Sequence, residues 1–294
     1  MLTDSGPRDL QFVTKALFRF RLKPGLPGAI FACIGADPGP AWSETSIMAN
    51  WNDPQPRTGF GASPSLSGAT VRSGEVFDAG LRRYMLSIYN YMASGVLLSG
   101  IVALVFATTG MAAAVFGTPL RWVVALAPLA FVMIMSFGIN RLSTNAVRGL
   151  FWAFSVVMGM SLSSIFFVYT GPSIAATFFA TAGAFAGLSL FGYTTKKSLS
   201  GMGTFLIMGL FGILIASLIN IFLQSPGLAW GISFLGVLIF AGLTAYDTQR
   251  LKDQYAYLAG TEFAGKAVVM GALTLYLDFI NMFTFLLQFM GDRR

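Results

Sequence analysis

The clearest pattern in the chain is a series of seven long apolar blocks that follow residue 85. Each block has about the 20 residues that an α-helix needs to span ~30 Å of hydrocarbon at 1.5 Å per residue. The blocks do not alternate between apolar and polar positions, as membrane-spanning strands do. Short connections with turn residues separate several of them, including Gly171-Pro172 and Ser225-Pro226-Gly227. The pattern predicts an all-α integral membrane protein with seven transmembrane helices, at about 87–109, 118–139, 149–169, 173–194, 203–224, 228–249 and 267–290.

The N-terminal part of the chain has a different composition. Residues 1–85 are rich in Gly, Pro, Ser and charged side chains and show no sustained period. Such a segment cannot bury enough apolar surface to fold by itself. We predict a mostly disordered cytoplasmic segment over 1–85, with a short helix leading into the first span, and a seven-helix domain over 86–294. Met48 offers an alternative start, in which case 1–47 would be a mis-assigned extension.

Composition narrows the possible chemistry. The 294 residues are 55% hydrophobic and only 11% charged, whereas a soluble domain carries about 25% charged residues. The chain has no His, so it lacks the commonest metal ligand and the usual acid–base group at neutral pH. The net charge is +7, but the basic surplus lies between apolar blocks. We therefore interpret this surplus as a determinant of membrane topology, with the lipid bilayer as partner, and not as a nucleic-acid site.

The basic residues fall in alternate connections, which gives an orientation. The loops after the third and fifth blocks carry no charge. Because cytoplasmic loops are enriched in Lys and Arg, the pattern places the N-terminus in the cytoplasm and the C-terminus outside. The residues that carry this inference are Arg82, Arg83, Arg141, Arg148, Lys196, Lys197, Arg250, Lys252 and Lys266.

Two acidic residues stand out, because none occurs between Asp78 and Asp247. Asp247 lies near the end of the sixth block, in AYDTQRLK, and Asp278 lies in the middle of the seventh, in LYLDFIN. An ionisable side chain at membrane depth is rare and faces protein, a cavity or a partner. The alternative for both is a structural role, as a hydrogen-bonded carboxyl that holds helices together. Asp247 could also lie at the headgroup boundary.

Other polar residues in the blocks could support such a site. Steps of three and four residues from Asp278 follow one helical face. Thr244 is one turn before Asp247, and the fifth block contributes Asn220. We predict that the polar face of the last helix is turned toward a pore or a neighbouring helix. The residues that share this face of the last helix with Asp278 are Gly271, Thr274, Asn281, Phe285 and Gln288.

If the two carboxyls meet in a dry interior, they cannot both ionise easily, so the pair would share a proton and titrate as a unit. A nearby cation would favour loss of that proton, and Arg141, at the end of the second block, is the candidate. A role in membrane topology explains the presence of Arg141 equally well. Loss of the proton would create either repulsion or a site for a hard cation, since calcium takes carboxylate, carbonyl and water oxygens.

The depth of the two carboxyls in the membrane is an obstacle to their meeting. If 250–266 is a loop, Asp247 lies ~8 Å and Asp278 ~18 Å inside the membrane, so one of the two helices must be displaced for them to meet.

Four segments occur in a distinctive order: SLSSIFFVYTG at 161–171, SLFGYTTKKSLSGMG at 189–203, FAGLTAYDTQRLK at 240–252 and ALTLYLDFINMF at 272–283. Together they resemble the transmembrane Bax inhibitor motif family, in its bacterial branch. The resemblance covers about residues 75–294. It implies a fold in which the last helix is surrounded by the other six. It also implies a di-aspartyl pH sensor at Asp247 and Asp278, an arginine latch that we carry over to Arg141, and a calcium leak across the bacterial inner membrane. Calcium would be the transported ion, and no cofactor is expected.

Two other functions remain open. Some bacterial members of that family are associated with a membrane-bound AAA protease as modulators or substrates, which suggests a non-conducting regulatory protein. Intramembrane aspartyl proteases also place a Tyr-Asp pair in one helix, as Tyr246-Asp247 does here. Their second motif is Gly-x-Gly-Asp, whereas this chain has bulky residues at 275–277 before Asp278. We therefore expect no catalysis.

Overall fold

A computed structural model describes the backbone from residue 66 to residue 294 and the side chains from residue 77 onward. The predictions for residues 1–65, including the alternative start at Met48, lie outside the described residues. The described part contains nine helices. They are α1 (Leu66–Thr108), α2 (Met111–Phe116), α3 (Leu120–Gly138), α4 (Thr144–Leu162), α5 (Ile165–Val168), α6 (Gly171–Thr194), α7 (Ser200–Leu223), α8 (Pro226–Leu258) and α9 (Ala264–Met290).

Within the described residues, seven segments are long and apolar enough to cross a membrane, so the predicted fold class is confirmed. The third of them, Thr144–Val168, combines α4 and the short α5. The first, Phe77–Thr108, begins ten residues before the predicted span and belongs to a helix that begins at Leu66. The short helix expected before the first span is therefore continuous with it, and α1 crosses the boundary that we predicted at residue 85.

The turn between α7 and α8 shows how the sequence ends one span and begins the next. Gln224 adopts a left-handed conformation at φ 48°, which stops α7. Asn220 Oδ1 accepts a hydrogen bond from the Ser225 N–H at 3.1 Å. Ser225 Oγ in turn accepts from the Leu228 N–H at 3.4 Å and caps α8, with Pro226 in the first turn. The side chains of Asn220 and Ser225 therefore satisfy two of the backbone N–H groups that this reversal of the chain frees.

The connection between α8 and α9 differs from the prediction. We predicted a long loop over 250–266, but α8 continues to Leu258 and α9 begins at Ala264. Only five residues join them, and Gly260 adopts φ 77° there. The prediction was wrong because the charged residues in RLKDQYAYL mark the edge of the apolar block, and a helix can continue past that edge.

The last helix occupies the centre of the bundle. It packs against α1, α4, α6 and α8, and 61% of its most apolar stretch is buried. In contrast, α3 packs mainly on α4 and α7 mainly on α8, and each has only 11% of its apolar stretch buried. The expectation that the other helices surround the last one is confirmed, with four of the six as its principal neighbours.

Candidate functional site

The structure brings the two predicted aspartates together at the α8–α9 contact. Asp247 is 8% exposed and Asp278 is 5% exposed. Their carboxyl groups lie within hydrogen-bonding reach of each other. Two acidic side chains from consecutive spans therefore form one buried pair inside the bundle.

The continuation of α8 explains why the two side chains lie at the same depth. From Asp247 to the end of α8 at Leu258 the helix rises about 16 Å, and from the start of α9 at Ala264 to Asp278 it rises about 21 Å. The difference is about one helical turn. The mismatch in depth that the sequence suggested is thus reduced from about 10 Å to about 5 Å once 250–258 is helical and not part of a loop.

The neighbouring residues of α8 fix the direction of Asp247. The backbone of Ala245 lies so close to Gly192 of α6 that any Cβ at position 192 would overlap it. Thr248 Oγ1 and Ser189 Oγ of α6 share a hydrogen bond of 3.0 Å. With these contacts holding one side of α8 against α6, Asp247 lies on another side of the helix, toward α9.

The pair is incompletely satisfied unless it carries a proton. The buried Oδ2 atom of Asp278 has no hydrogen-bond donor among the described residues. Two ionised carboxylates cannot donate to each other, whereas a single proton between them supplies the missing hydrogen bond. The one ion pair in the described part of the chain joins Arg250 Nη1 to Asp247 Oδ1 at 3.9 Å, and the Arg250 side chain is 55% exposed. This cation is too distant and too solvated to neutralise two buried charges.

Apolar and aromatic layers separate the pair from the end of the bundle where α8 and α9 connect. One turn past Asp247, the side chains of Leu251 and Ile88 lie against Gly271, and a Cβ there would be 2.9 Å and 3.1 Å from their methyl carbons. One turn further, the rings of Tyr84 and Tyr255 pack with centroids 5.3 Å apart. In this conformation, packed side chains cover the carboxyls on that side.

Three of the predicted supporting residues lie near the pair in sequence but do not bind it. Thr244, Thr274 and Asn281 each donate a hydrogen bond to the carbonyl four residues earlier in their own helix, at 2.8 Å, 3.1 Å and 2.8 Å. Thr244 is fully buried. The hydrogen bonds of these three side chains therefore stay within α8 and α9, and none of them reaches the two carboxyls.

Two other predicted residues are not brought to the pair. Asn220 is half-buried in the turn that ends α7, where it accepts from Ser225, so it does not contribute a polar group at the centre. Arg141 lies between α3 and α4 with its side chain exposed and makes no ion pair within the described residues. Its position after the end of α3 explains this, because the loop turns the side chain toward solvent. The latch role of Arg141 stays a prediction, and the nearest cation to the pair is Arg250.

Sequence reasoning missed two sets of interhelical hydroxyl contacts. Tyr89 of α1 hydrogen-bonds Ser189 of α6, which also contacts Thr248 beside Asp247. The hydroxyls of Tyr276 and Ser99 are 2.6 Å apart, which links α9 to α1. A hydroxyl inside an apolar span needs a partner, and this rule could have identified these residues, although not their pairing.

The pair by itself is not a closed metal site. In the segments that the structure describes, no group of three or more Cys, Asp or Glu side chains is arranged to hold an ion. Calcium takes six to eight oxygen ligands, and two carboxyls supply at most four. A calcium ion that reached Asp247 and Asp278 would therefore keep several waters, which suits a passing ion better than a resident one.

Comparisons with known proteins agree with the sequence resemblance. The sequence model described as inhibitor of apoptosis-promoting Bax1 matches residues 81–294. The chain belongs to the Bax inhibitor family. Among its relatives in this family, an uncharacterized protein of Caulobacter vibrioides is 50% identical, over 74% of this chain and 91% of its own length. The inner membrane protein YbhL of Escherichia coli K12 is 46% identical, over 74% of this chain and 94% of its own length. An uncharacterized protein of Rickettsia prowazekii is 43% identical, over 76% of this chain and 96% of its own length.

Proposed function

We propose that this Bax inhibitor family protein is a pH-sensitive cation leak, gated by the Asp247–Asp278 pair, with calcium as the passing ion. The observation that carries the proposal is the meeting of two buried carboxyls without a close internal cation. Such an arrangement has two states of different structure. With one proton the carboxyls attract through a hydrogen bond, and without it they repel or accept a cation.

The position of the pair makes a change of proton occupancy mechanically important. Asp247 and Asp278 join α8 to the central helix, and the layers of Leu251 and Tyr255 lie on the same helix as Asp247. Separation of the two carboxyls would shift α8 relative to α9 and loosen these layers. The proton would thus control the seal between the pair and the end of the bundle.

The proposed location is the bacterial inner membrane, with the N-terminus cytoplasmic and the C-terminus periplasmic. The relative from Escherichia coli is named an inner membrane protein. Basic side chains also gather at one end of the bundle. Lys252 donates to the Tyr193 carbonyl at 2.8 Å, and Lys266 donates to the Ile139 carbonyl at 3.2 Å. By the positive-inside rule this is the cytoplasmic end.

Calcium entry into vesicles containing the purified protein tests the gate. Wild type is compared with Asp247→Asn and Asp278→Asn over the neutral pH range, with Asp253→Asn as the matched control. Asp253 is an exposed acid on the same helix, outside the pair. We expect pH-dependent flux in wild type and in the control, and a flat pH profile in the two pair variants. An unchanged pH dependence in Asp278→Asn would reject the sensor role.

The same vesicles distinguish the alternatives. A protein that conducts no ion at any pH, yet copurifies with a membrane-bound AAA protease, would be the non-conducting regulator. For a protease role, the backbone before the catalytic aspartate must admit substrate, but Leu275 and Tyr276 are fully buried. That burial supports our proposal of a function without catalysis.

A further inference from the structure

A side groove lies between α1 and α6. Its volume is about 490 Å³, within the range of ligand-binding pockets. The two helices do not pack closely along it, and the hydrogen bond between Tyr89 and Ser189 bridges them. Five of its lining residues are exposed, among them Leu86, Ala186 and Leu190, so the groove opens to the side of the bundle, where lipid lies.

The groove has the length of one membrane leaflet. On α1 its lining extends from Arg82 to Ala93, which corresponds to about 16 Å of helix. Half of the ~30 Å hydrocarbon core is about 15 Å. A groove of this length that begins at the basic end of the bundle reaches the middle of the bilayer.

The two ends of the groove differ in charge. Arg82 lies at one end with its side chain exposed. Lys252 reaches the same end, where its ammonium group lies 5.7 Å from the centre of the Tyr193 ring. The other end is lined by Met92, Ala93 and Phe185 and carries no charge. The groove therefore has a cationic mouth and an apolar interior, which is complementary to an anionic phospholipid.

We propose that this groove binds one anionic phospholipid, with the phosphate against Arg82 and an acyl chain along α1 and α6. Basic pockets between transmembrane helices are known to hold anionic headgroups. The proposal does not depend on ion conduction. It does place the lipid beside Ser189, which is one hydrogen bond from Thr248 on the turn of α8 that carries Asp247.

Native mass spectrometry of the full chain, taken from nanodiscs of equal phosphatidylglycerol and phosphatidylcholine, tests the headgroup contact. Arg82→Gln is compared with Arg83→Gln, because Arg83 is also exposed but does not line the groove. Wild type and Arg83→Gln should retain one phosphatidylglycerol. Arg82→Gln should retain about fivefold less, as expected for the loss of one basic contact. Equal losses in both variants, or no preference for phosphatidylglycerol in wild type, would overturn the proposal.

A second pair of variants tests the acyl-chain contact while Arg82 stays intact. Ala186 lines the groove, whereas Ala184 is equally exposed on the same helix and does not. Ala186→Trp should fill the groove and remove the retained phosphatidylglycerol, and Ala184→Trp should leave it. Retention at the wild-type level in Ala186→Trp would show that the lipid lies elsewhere and would refute the assignment.

Discussion

The central helix α9 and the peripheral helix α7 are both membrane spans, but they lie in opposite environments. Of the seven spans, α7 is the most apolar and only 11% of its stretch is buried. The least apolar is α9, and 61% of its stretch is buried. In these two spans, the extremes of the bundle, apolarity and burial therefore run in opposite directions.

The reason is that lipid tails are as apolar as Leu, so an apolar helix gains little by leaving them. Polar side chains gain more, because in the interior they find hydrogen-bond partners that lipid lacks. Tyr276 and Asp278 of α9 lie in the interior, whereas Phe205 and Phe222 of α7 are exposed on the outside of the bundle. Hydropathy identifies the spans, and the polar residues within them identify the centre.

Truncation of a large side chain should show the strongest contrast between the two helices. Tyr276 is fully buried among Phe151 and Phe154, so Tyr276→Ala should lower the free energy of unfolding by about 3–5 kcal/mol. Phe205→Ala is the control on α7, where Phe205 is 73% exposed and lipid can fill the space. We expect a loss below about 1 kcal/mol there. Unfolding by SDS in mixed micelles measures both, and equal losses would contradict the central position of α9.

A smaller contrast should appear on α6, which has one side toward the interior and one toward lipid. Gly192 packs against the backbone of Ala245, which cannot move aside independently of α8. Gly192→Ala should therefore cost about 1–3 kcal/mol by overpacking. Gly187→Ala on the same helix adds a methyl group into open space and should cost nothing measurable. Thermal unfolding in detergent compares the two variants, and a neutral Gly192→Ala would disprove the close α6–α8 contact.

Much of the fold could be predicted from the sequence, because each span had to be about 20 apolar residues long. The meeting of Asp247 and Asp278 was also predictable in outline, since no other acid lies in the apolar blocks. The end of α8 was not predictable, because residues 250–258 include charged side chains and yet remain helical. Hydropathy reports the edge of the membrane and not the end of a helix.

The partners of individual polar residues could not be predicted from the sequence. Asn220 and Asp278 both look like buried polar groups in an apolar run, yet Asn220 binds within a turn and Asp278 binds across helices. The difference depends on how two helices are rotated and shifted relative to each other. That relation is set by contacts such as Gly192 against Ala245, which a single sequence does not pair.

Removal of the Tyr276 hydroxyl at the centre of the bundle should lower the free energy of unfolding moderately. Tyr276→Phe keeps the ring but deletes the contact with Ser99 at 2.6 Å. Because Ser99 still donates to a backbone carbonyl, the loss should be about 0.5–1 kcal/mol, as for other interhelical hydrogen bonds in membranes. The SDS unfolding curve of Tyr276→Phe, set beside that of Tyr276→Ala, separates the hydroxyl from the packing of the ring. A loss as large as that of the alanine variant would show that the hydroxyl dominates.

The smallest effect on the free energy of unfolding is expected for substitution of Arg250, an exposed residue beside the buried pair. Its guanidinium is 3.9 Å from Asp247 and 55% exposed, so water screens most of the attraction. Arg250→Gln should change the free energy of unfolding by less than about 0.5 kcal/mol and leave calcium flux dependent on pH, because the proposed proton lies between Asp247 and Asp278. Loss of the pH dependence in this variant would mean that the Arg250 cation, and not a shared proton, controls the two carboxyls. The comparison therefore separates a gate controlled from within the bundle from one controlled at its surface.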